Sequence, residues 1–211
     1  MSNLIEKKID STSIYDGIIV KLFKDTIELP NGNKAFREVI RHPGAVCVIP
    51  VTNEGNIIFV KQYRYPFKEE IIELPAGKLD KNELPLDAAQ RELREETGII
   101  SSKIIPIGRY YSTPAIIDEV IYLYLATDLE FGEQSLDDDE FLEVELIPYD
   151  KALEMIFNDQ LPDGKTQVGI LKAKHYLASA SKNSWLHLVE SNSTFCRQMQ
   201  IFGIQHKKAF I

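Results

Sequence analysis

The chain has little cysteine, no long apolar run and no excess of positive charge. Its two cysteines, Cys47 and Cys196, do not suggest a disulfide framework, and Cys47 lies in an apolar run typical of a protein core. No apolar run is long enough to span a bilayer, and the N-terminus MSNLIEKKID has no apolar stretch like that of a signal peptide. We therefore expect a reduced, cytoplasmic protein.

The charge balance limits the partners. A formal net charge of −8 argues against a protein that binds nucleic acid or anionic membranes. An anionic substrate would need nearby Lys, Arg or a metal ion to offset this field. The apolar fraction of 44% and the charged fraction of 27% are typical of a globular protein, and 211 residues suit one domain with an appendage.

Strands and helices alternate along the chain in an order typical of an α/β protein. Residues 14–41 predict a small antiparallel sheet, and the apolar run at 45–51 predicts a strand buried on both faces. Further strands surround a central helix, and two more helices are predicted, one from Pro148 or Tyr149 through Phe157 and one from DGKT. We expect an N-terminal sheet over residues 1–42, a main domain over 43–178, and an extension over 179–211 without clear periodicity.

The segment GKLDKNELPLDAAQRELREETGI, from Gly77 to Ile99, organises the rest of the chain. Asp87, with Gln90 three residues later, can cap the start of a helix, and Gly98 can end it. Three carboxylates fall within one arc of this helix, and three apolar side chains share the neighbouring arc. They are Glu92, Glu95 and Glu96 on the first arc and Leu86, Ala89 and Leu93 on the second.

Carboxylates crowded on one helix face repel one another, and the repulsion grows beside a buried surface, where charge is poorly screened. A hard divalent cation reverses this effect, because Mg²⁺ binds carboxylate, phosphate and water oxygens. The alternative is a solvated acidic face with Arg91 and Arg94 as counter-ions. For an isolated cluster of this kind the alternative would be preferred.

The spacing around the cluster favours the metal. From Gly77 through Glu83 to Ile99, the segment matches every fixed position of the pattern GX5EX7REUXEEXGU, in which U is aliphatic, and so resembles the Nudix box. The resemblance implies a Nudix hydrolase, an α/β/α sandwich with a mixed sheet that cleaves a nucleoside diphosphate linked to another group. The small N-terminal antiparallel sheet would be additional to this fold.

The resemblance also implies roles for individual residues. Glu92 and Glu96 are the expected metal ligands, with Ala76 beside them in the loop before the helix. Glu95 is a further ligand or a catalytic group. Arg91 would orient the carboxylates for catalysis, and Glu83 would brace the loop.

A second segment resembles the ADP-ribose pyrophosphatases of that family. Pro114 lies sixteen residues after Gly98, within YYSTPAIIDE, although Ala115 stands where glycine is usual. The acidic run at residues 137–140 also matches that group. By resemblance Glu140 would contribute to the metal site, and Asp138 matches the position of a general base. The alternative for this run is a solvated turn.

Substrate contacts and a homodimer follow from the same resemblance. The planar guanidinium of Arg64, at the end of a predicted strand, suits phosphate oxygens. Thr113 and Glu119 lie on either side of Pro114. Arg37 lies on the N-terminal sheet, which similar proteins exchange between subunits. A small sheet that cannot bury both faces alone is a physical reason to expect a homodimer.

The leading hypothesis is Mg²⁺-dependent hydrolysis of ADP-ribose to AMP and ribose 5-phosphate, with Mn²⁺ as the alternative metal. A second hypothesis changes the substrate to another nucleoside-diphosphate sugar, such as GDP-mannose. A third is a Nudix-like module that senses a nucleotide without hydrolysing it, although the complete set of glutamates argues against this. We expect a small nucleotide-sugar substrate and no nucleic-acid or membrane partner.

Overall fold

The computed structural model describes residues 4–138 and 140–179. The chain divides into two compact units, Met1–Leu171 and Lys172–Ile211, and the described residues of the second unit, 172–179, are helical. Beyond residue 179, the predicted C-terminal extension lies outside the described residues. Within the described ranges, no helix is both long and apolar enough to cross a membrane.

The order of elements agrees with the predicted α/β alternation. The strands of the first unit are β1 (Lys7–Asp16), β2 (Lys21–Glu28), β3 (Lys34–Arg41), β4 (Ala45–Pro50), β5 (Asn56–Arg64), β6 (Glu69–Glu73), β7 (Ala76–Lys78), β8 (Ile99–Tyr110), β9 (Ile121–Phe131) and β10 (Leu142–Pro148). Its helices are α1 (Pro85–Thr97), α2 (Tyr149–Phe157) and α3, which begins at residue 164.

The strands form three sheets. The four-stranded sheet has the order β7-β4-β9-β8 and is mixed, because β4 and β9 run parallel whereas their other pairings are antiparallel. Strands β10, β5 and β6 form a second, antiparallel sheet. The predicted N-terminal sheet is the antiparallel set β1-β2-β3.

The core lies on both faces of β4, which is buried along its whole length, as its apolar sequence predicts. Val46 and Val48 belong to the buried cluster that contains Ala89 and Leu93 of α1. The alternate residue Ile49 faces α3, where a Cβ added to Gly169 would lie 3.2 Å from its Cγ1 atom. Helices therefore cover both faces of the strand, and the predicted mixed α/β sandwich is confirmed.

Helix α1 differs from the prediction at its start. It begins at Pro85, and Leu84 occupies the cap position without a side-chain hydrogen bond, so the prediction that Asp87 caps the helix is wrong. Proline suits the first helical position because its fixed φ is helical and it has no N–H to satisfy. Leu86 is exposed and Ala88 is buried in its stead. Gly98 ends the helix at φ 72°, as predicted.

The N-terminal sheet begins before residues 14–41, the segment in which its strands were predicted, and within the expected region 1–42. Strand β1 starts at Lys7. Every residue of this strand is exposed, so its sequence has no alternation of apolar and polar residues that would indicate a buried face. Residues 17–20, within the segment 14–41 predicted to form the sheet, form a turn in which the Gly17 N–H donates to the Val20 carbonyl. The sheet and its β1–β2 turn leave large apolar side chains exposed in the single chain. They are Ile9, Ile14, Tyr15, Ile18, Val20 and Phe36.

Candidate active site

Arg91 is the centre of a hydrogen-bond network on the loop and helix of the Gly77–Ile99 segment. Its Nε and Nη2 atoms donate to the two carboxylate oxygens of Glu83 at 2.8 and 2.9 Å. Its Nη1 donates to Glu92 at 2.8 Å and to Glu95 at 2.9 Å, and Nη2 also reaches the Lys78 carbonyl at 3.2 Å. These bonds lower the pKa of Glu83 to about 2 and fix the loop to the helix.

Glu92 and Glu96 lie one helical turn apart and are buried, with 9% and 4% of their surface exposed. The Ala76 N–H donates to Glu96 Oε2 at 3.0 Å. Burial raises the pKa of Glu96 to about 8, and the charges of Glu92 and Glu140 act in the same direction. Burial also raises the pKa of Glu92, against the lowering effect of Arg91. Both carboxylates therefore sit where negative charge is costly unless a cation accompanies it.

Gly77 leaves the space that the Glu92 carboxylate occupies. A Cβ built on this residue would lie 1.9 Å from Glu92 Oε1 and 2.0 Å from its Cδ. No ordinary contact between atoms is that short. The absence of a side chain at position 77 is therefore a condition for the position of Glu92.

An open cavity of about 1030 Å³ connects these carboxylates with other elements. Its lining includes the carboxylates of Glu92, Glu95 and Glu96 and the cationic side chains of Arg64 and Lys165. Anionic and cationic side chains thus share one cavity, large enough for a small organic ligand. The arrangement suits a ligand that carries phosphate groups and is bound together with a metal ion.

The donor set fits a hard divalent cation. Within residues 4–138 and 140–179, no three acidic, histidine or cysteine side chains stand close enough together to hold a metal ion by themselves. Mg²⁺, however, usually binds through one or two carboxylates and takes its other oxygens from phosphate and water. The buried pair Glu92 and Glu96, with its raised pKa values, meets this requirement. Among residues 4–138 and 140–179, the one cysteine is Cys47, which is fully buried with its pKa raised by burial to about 12, so this part of the chain offers a soft metal no exposed thiol.

The loop after β8 is held from outside the cavity by the N-terminal sheet. Arg41 donates to Asp118 at 3.2 Å and to the buried Asp25 at 2.7 Å, and the His42 N–H donates to Asp118 at 2.8 Å. Glu119, the next residue, lines the cavity. The inner face of this loop is thus positioned by charged groups on its outer face.

Comparison with known proteins agrees with this geometry. Residues 41–166 match the NUDIX domain, which is more than half of the chain. The chain belongs to the Nudix family. The match includes the whole Gly77–Ile99 segment, so the network around Arg91 and the buried pair Glu92 and Glu96 are the Nudix box of this protein.

Two relatives of this Nudix protein cover most of its length. It is 42% identical to an ADP-ribose pyrophosphatase of Bacillus subtilis over 81% of this chain and 93% of the relative. It is 43% identical to a methanol dehydrogenase activator of Bacillus methanolicus over 78% of this chain and 90% of that one. A crystal structure of an ADP compounds hydrolase superposes with a TM-score of 0.77 at 17% identity, over 85% of this chain and 98% of that one. This last likeness concerns the fold.

The cavity brings together most of the residues that the sequence predicts for the site. Its lining includes Ala76, Arg91, Glu92, Glu95, Glu96, Arg64, Thr113, Glu119 and Glu140. Asp138 is exposed and does not line it, whereas the neighbouring Asp137 does. Arg37 lies outside it on β3, where its Nε donates to Glu6 at 3.1 Å.

Sequence reasoning missed a charged cluster on the cavity wall. It consists of Arg64, Glu73, Asp163 and Lys165, of which only Arg64 was a predicted site residue. Two signals in the sequence pointed to it. Glu73 is a lone charge between apolar residues in IIELP, and Lys165 is a cation in the first turn of a helix, where the helix dipole disfavours it.

Proposed function

We propose that this Nudix hydrolase cleaves the pyrophosphate of ADP-ribose to give AMP and ribose 5-phosphate. The observation that carries the proposal is the pair of buried carboxylates, Glu92 and Glu96, in the same cavity as the guanidinium of Arg64. A pyrophosphate has two phosphoryl groups, so one can share the metal with the carboxylates while the other meets arginine. The name of the Bacillus subtilis relative supports the choice of ADP-ribose.

Glu92 and Glu96 would hold the divalent cation, with the Ala76 carbonyl at the start of β7 and Glu140 from the acidic segment. When bound, the cation would neutralise pyrophosphate charge and lower the pKa of a water molecule. Mg²⁺ is the proposed metal, and Mn²⁺ is the alternative because it prefers the same oxygen ligands. Arg91 keeps the carboxylates in place through its bonds to Glu92 and to Glu83.

A carboxylate must take the proton of the attacking water, and Asp138 is the proposed base. It lies in the exposed segment that also carries Glu140, so movement of this segment onto the bound substrate would bring it to the reaction centre. The alternative bases are Glu95, which is bound to Arg91, and Glu119, and both line the cavity.

Arg64 would bind a phosphate oxygen, and Thr113 and Glu119 would contact the remainder of the nucleotide sugar, since all three line the cavity. Arg37 would contribute from the second subunit of a homodimer. The exposed apolar surface of the N-terminal sheet supports such a dimer, because contact with a second copy would remove that surface from water. In this proposal residues 1–42 serve association and residues 43–178 carry the chemistry.

A turnover assay with purified protein tests the proposal. ADP-ribose, GDP-mannose and other nucleoside-diphosphate sugars are incubated with Mg²⁺, with Mn²⁺ and with EDTA, and the products are separated by chromatography. We expect the highest kcat/KM with ADP-ribose and no turnover in EDTA. Glu96→Gln should remove most activity, and Glu154→Gln on the exposed face of α2 is the matched control.

Each alternative has its own outcome in this assay. A higher kcat/KM with GDP-mannose than with ADP-ribose would show that the proposed substrate is wrong and that the proposed pyrophosphate hydrolysis is right. Binding of a nucleotide without products would favour a sensing module. Full activity of Glu96→Gln at saturating Mg²⁺ would remove this residue from the metal site.

A further inference from the structure

Arg64 is held by Glu73 through a paired contact between two neighbouring strands. Arg64 Nε donates to Glu73 Oε1 at 2.6 Å, and Nη2 donates to Oε2 at 2.7 Å. This two-bond geometry fixes the plane of the guanidinium as well as its distance. The Glu73 side chain is 3% exposed, whereas that of Arg64 is 40% exposed, so the carboxylate is fixed in the interior and the guanidinium emerges at the cavity.

Glu73 is held in turn by the start of α3. Lys165 Nζ donates to Glu73 Oε2 and lies 3.1 Å from Asp163 Oδ2. Asp163 accepts the Thr166 N–H at 2.9 Å, which fixes the first turn of the helix. Thr166 Oγ1 accepts the N–H of Leu74, the residue after Glu73, also at 2.9 Å. Strand β6 and helix α3 therefore meet at this carboxylate through both side-chain and main-chain contacts.

The cluster contributes little net charge to the cavity. Its two cations, Arg64 and Lys165, are balanced by Glu73 and Asp163. Attraction of phosphate by net charge therefore does not explain why Glu73 is paired with Arg64, since this carboxylate reduces that attraction. Holding the guanidinium in one orientation does explain it. The remaining nitrogen, Nη1, donates no hydrogen bond to any residue in the described ranges, which leaves it for a ligand.

We propose that Glu73 is a positioning residue for the hydrolysis, which holds the Arg64 guanidinium toward the substrate phosphate and is itself held by Lys165. The inference rests on the proposed function, because it requires a phosphate-containing substrate in the cavity. An arginine already fixed before binding loses less conformational freedom when the substrate arrives. An arginine that was free to rotate would lose this freedom each time a substrate bound, and the affinity for the substrate would be lower.

Glu73→Asp is the sharpest variant, because it keeps the charge and the burial but withdraws the carboxylate by one methylene. The paired contact with Arg64 then cannot form at the same place. We expect KM for the hydrolysed nucleotide sugar to rise about tenfold with kcat changed less than twofold, as for the loss of an interaction of about 1.4 kcal/mol made equally in ground and transition states. Lys165→Met, which keeps the aliphatic stem, should raise KM in the same direction.

Glu70→Gln is the matched control. Glu70 lies on the same strand and pairs with Lys61 of β5 at 2.5 Å, but it is exposed and does not line the main cavity. Its KM should equal that of the wild type. Urea unfolding of all variants separates a loss of stability from a change in KM.

A double-mutant comparison identifies Arg64 as the residue through which Glu73 acts. Lysine at position 64 cannot make the paired contact, so adding Glu73→Asp to Arg64→Lys should raise KM no further. A Glu73→Asp variant with lower stability and the KM of the wild type would overturn the positioning role and leave the proposed function intact. A wild-type protein that hydrolyses no nucleotide sugar would overturn both.

Discussion

The raised pKa of Glu96 predicts how the stability of the metal-free protein depends on pH. The folded-state pKa is about 8, against 4.5 for an ordinary glutamate. Between these values the folded protein holds a proton that the unfolded chain has released, so the free energy of unfolding falls as pH rises and levels off above pH 8. At about 1.4 kcal/mol per pKa unit, this one carboxyl accounts for about 5 kcal/mol at most.

Glu96→Gln should remove this dependence. The amide has nearly the shape of the protonated acid, keeps an oxygen for the Ala76 N–H and has no charge at any pH. In EDTA, urea unfolding from pH 5 to pH 9 should therefore give a flatter profile for the variant, and the variant should be the more stable protein at high pH. Excess Mg²⁺ should flatten the wild-type profile, because a bound cation compensates the ionised carboxylate.

The control for this experiment is Glu154→Gln, which removes an exposed carboxylate of helix α2 and should leave the wild-type profile in place. Parallel profiles for wild type and Glu96→Gln in EDTA would show that burial does not raise the pKa of Glu96. The interpretation of this site as one that needs a cation would then lose its electrostatic basis.

Three further predictions concern the network, the acidic segment and the assembly. Arg91→Lys keeps the charge but not the paired bonds to Glu83, so the free energy of unfolding should fall by about 2 kcal/mol and apparent Mg²⁺ affinity should weaken; an unchanged urea midpoint would contradict the bracing role. Glu140→Gln should weaken apparent metal affinity, while Asp138→Asn should lower kcat with little change in KM, and wild-type kinetics for both would reduce the segment to a solvated turn. Light scattering at micromolar concentration should give the mass of a dimer, and a fully active monomer would refute the role of residues 1–42.

The parts of the fold that could be predicted are those in which local pattern and burial agree. The apolar run of β4 predicted a strand covered on both faces, and Gly98 predicted the end of α1. The start of α1 was predicted wrongly because Pro85 and Asp87, which are both typical of helix starts, lie two residues apart. The helix begins at the proline. Strand β1 has no buried face, so alternation between core and solvent could not reveal where it begins.

The candidate site likewise has one part that local sequence spacing predicts and one part that depends on tertiary contacts. The carboxylates on α1 belong to one short segment, and fixed helical spacing places them together before any tertiary contact is known. The contact of Glu73 with Lys165 joins residues 92 positions apart, on a strand and on a later helix. No local pattern encodes such a pairing, although each residue was conspicuous as a charge in an unfavourable place.

The contact between Gly77 and Glu92 determines how position 77 can vary. The obstacle is the first carbon of a side chain, at 1.9 Å from the carboxylate, and every amino acid except glycine places an atom there. Alanine, serine and tryptophan would therefore all displace the Glu92 carboxylate, so even the smallest side chain at position 77 should disturb Glu92. Gly77 is not among the residues with positive φ, so what the position of Glu92 requires there is an empty volume and not an unusual backbone angle.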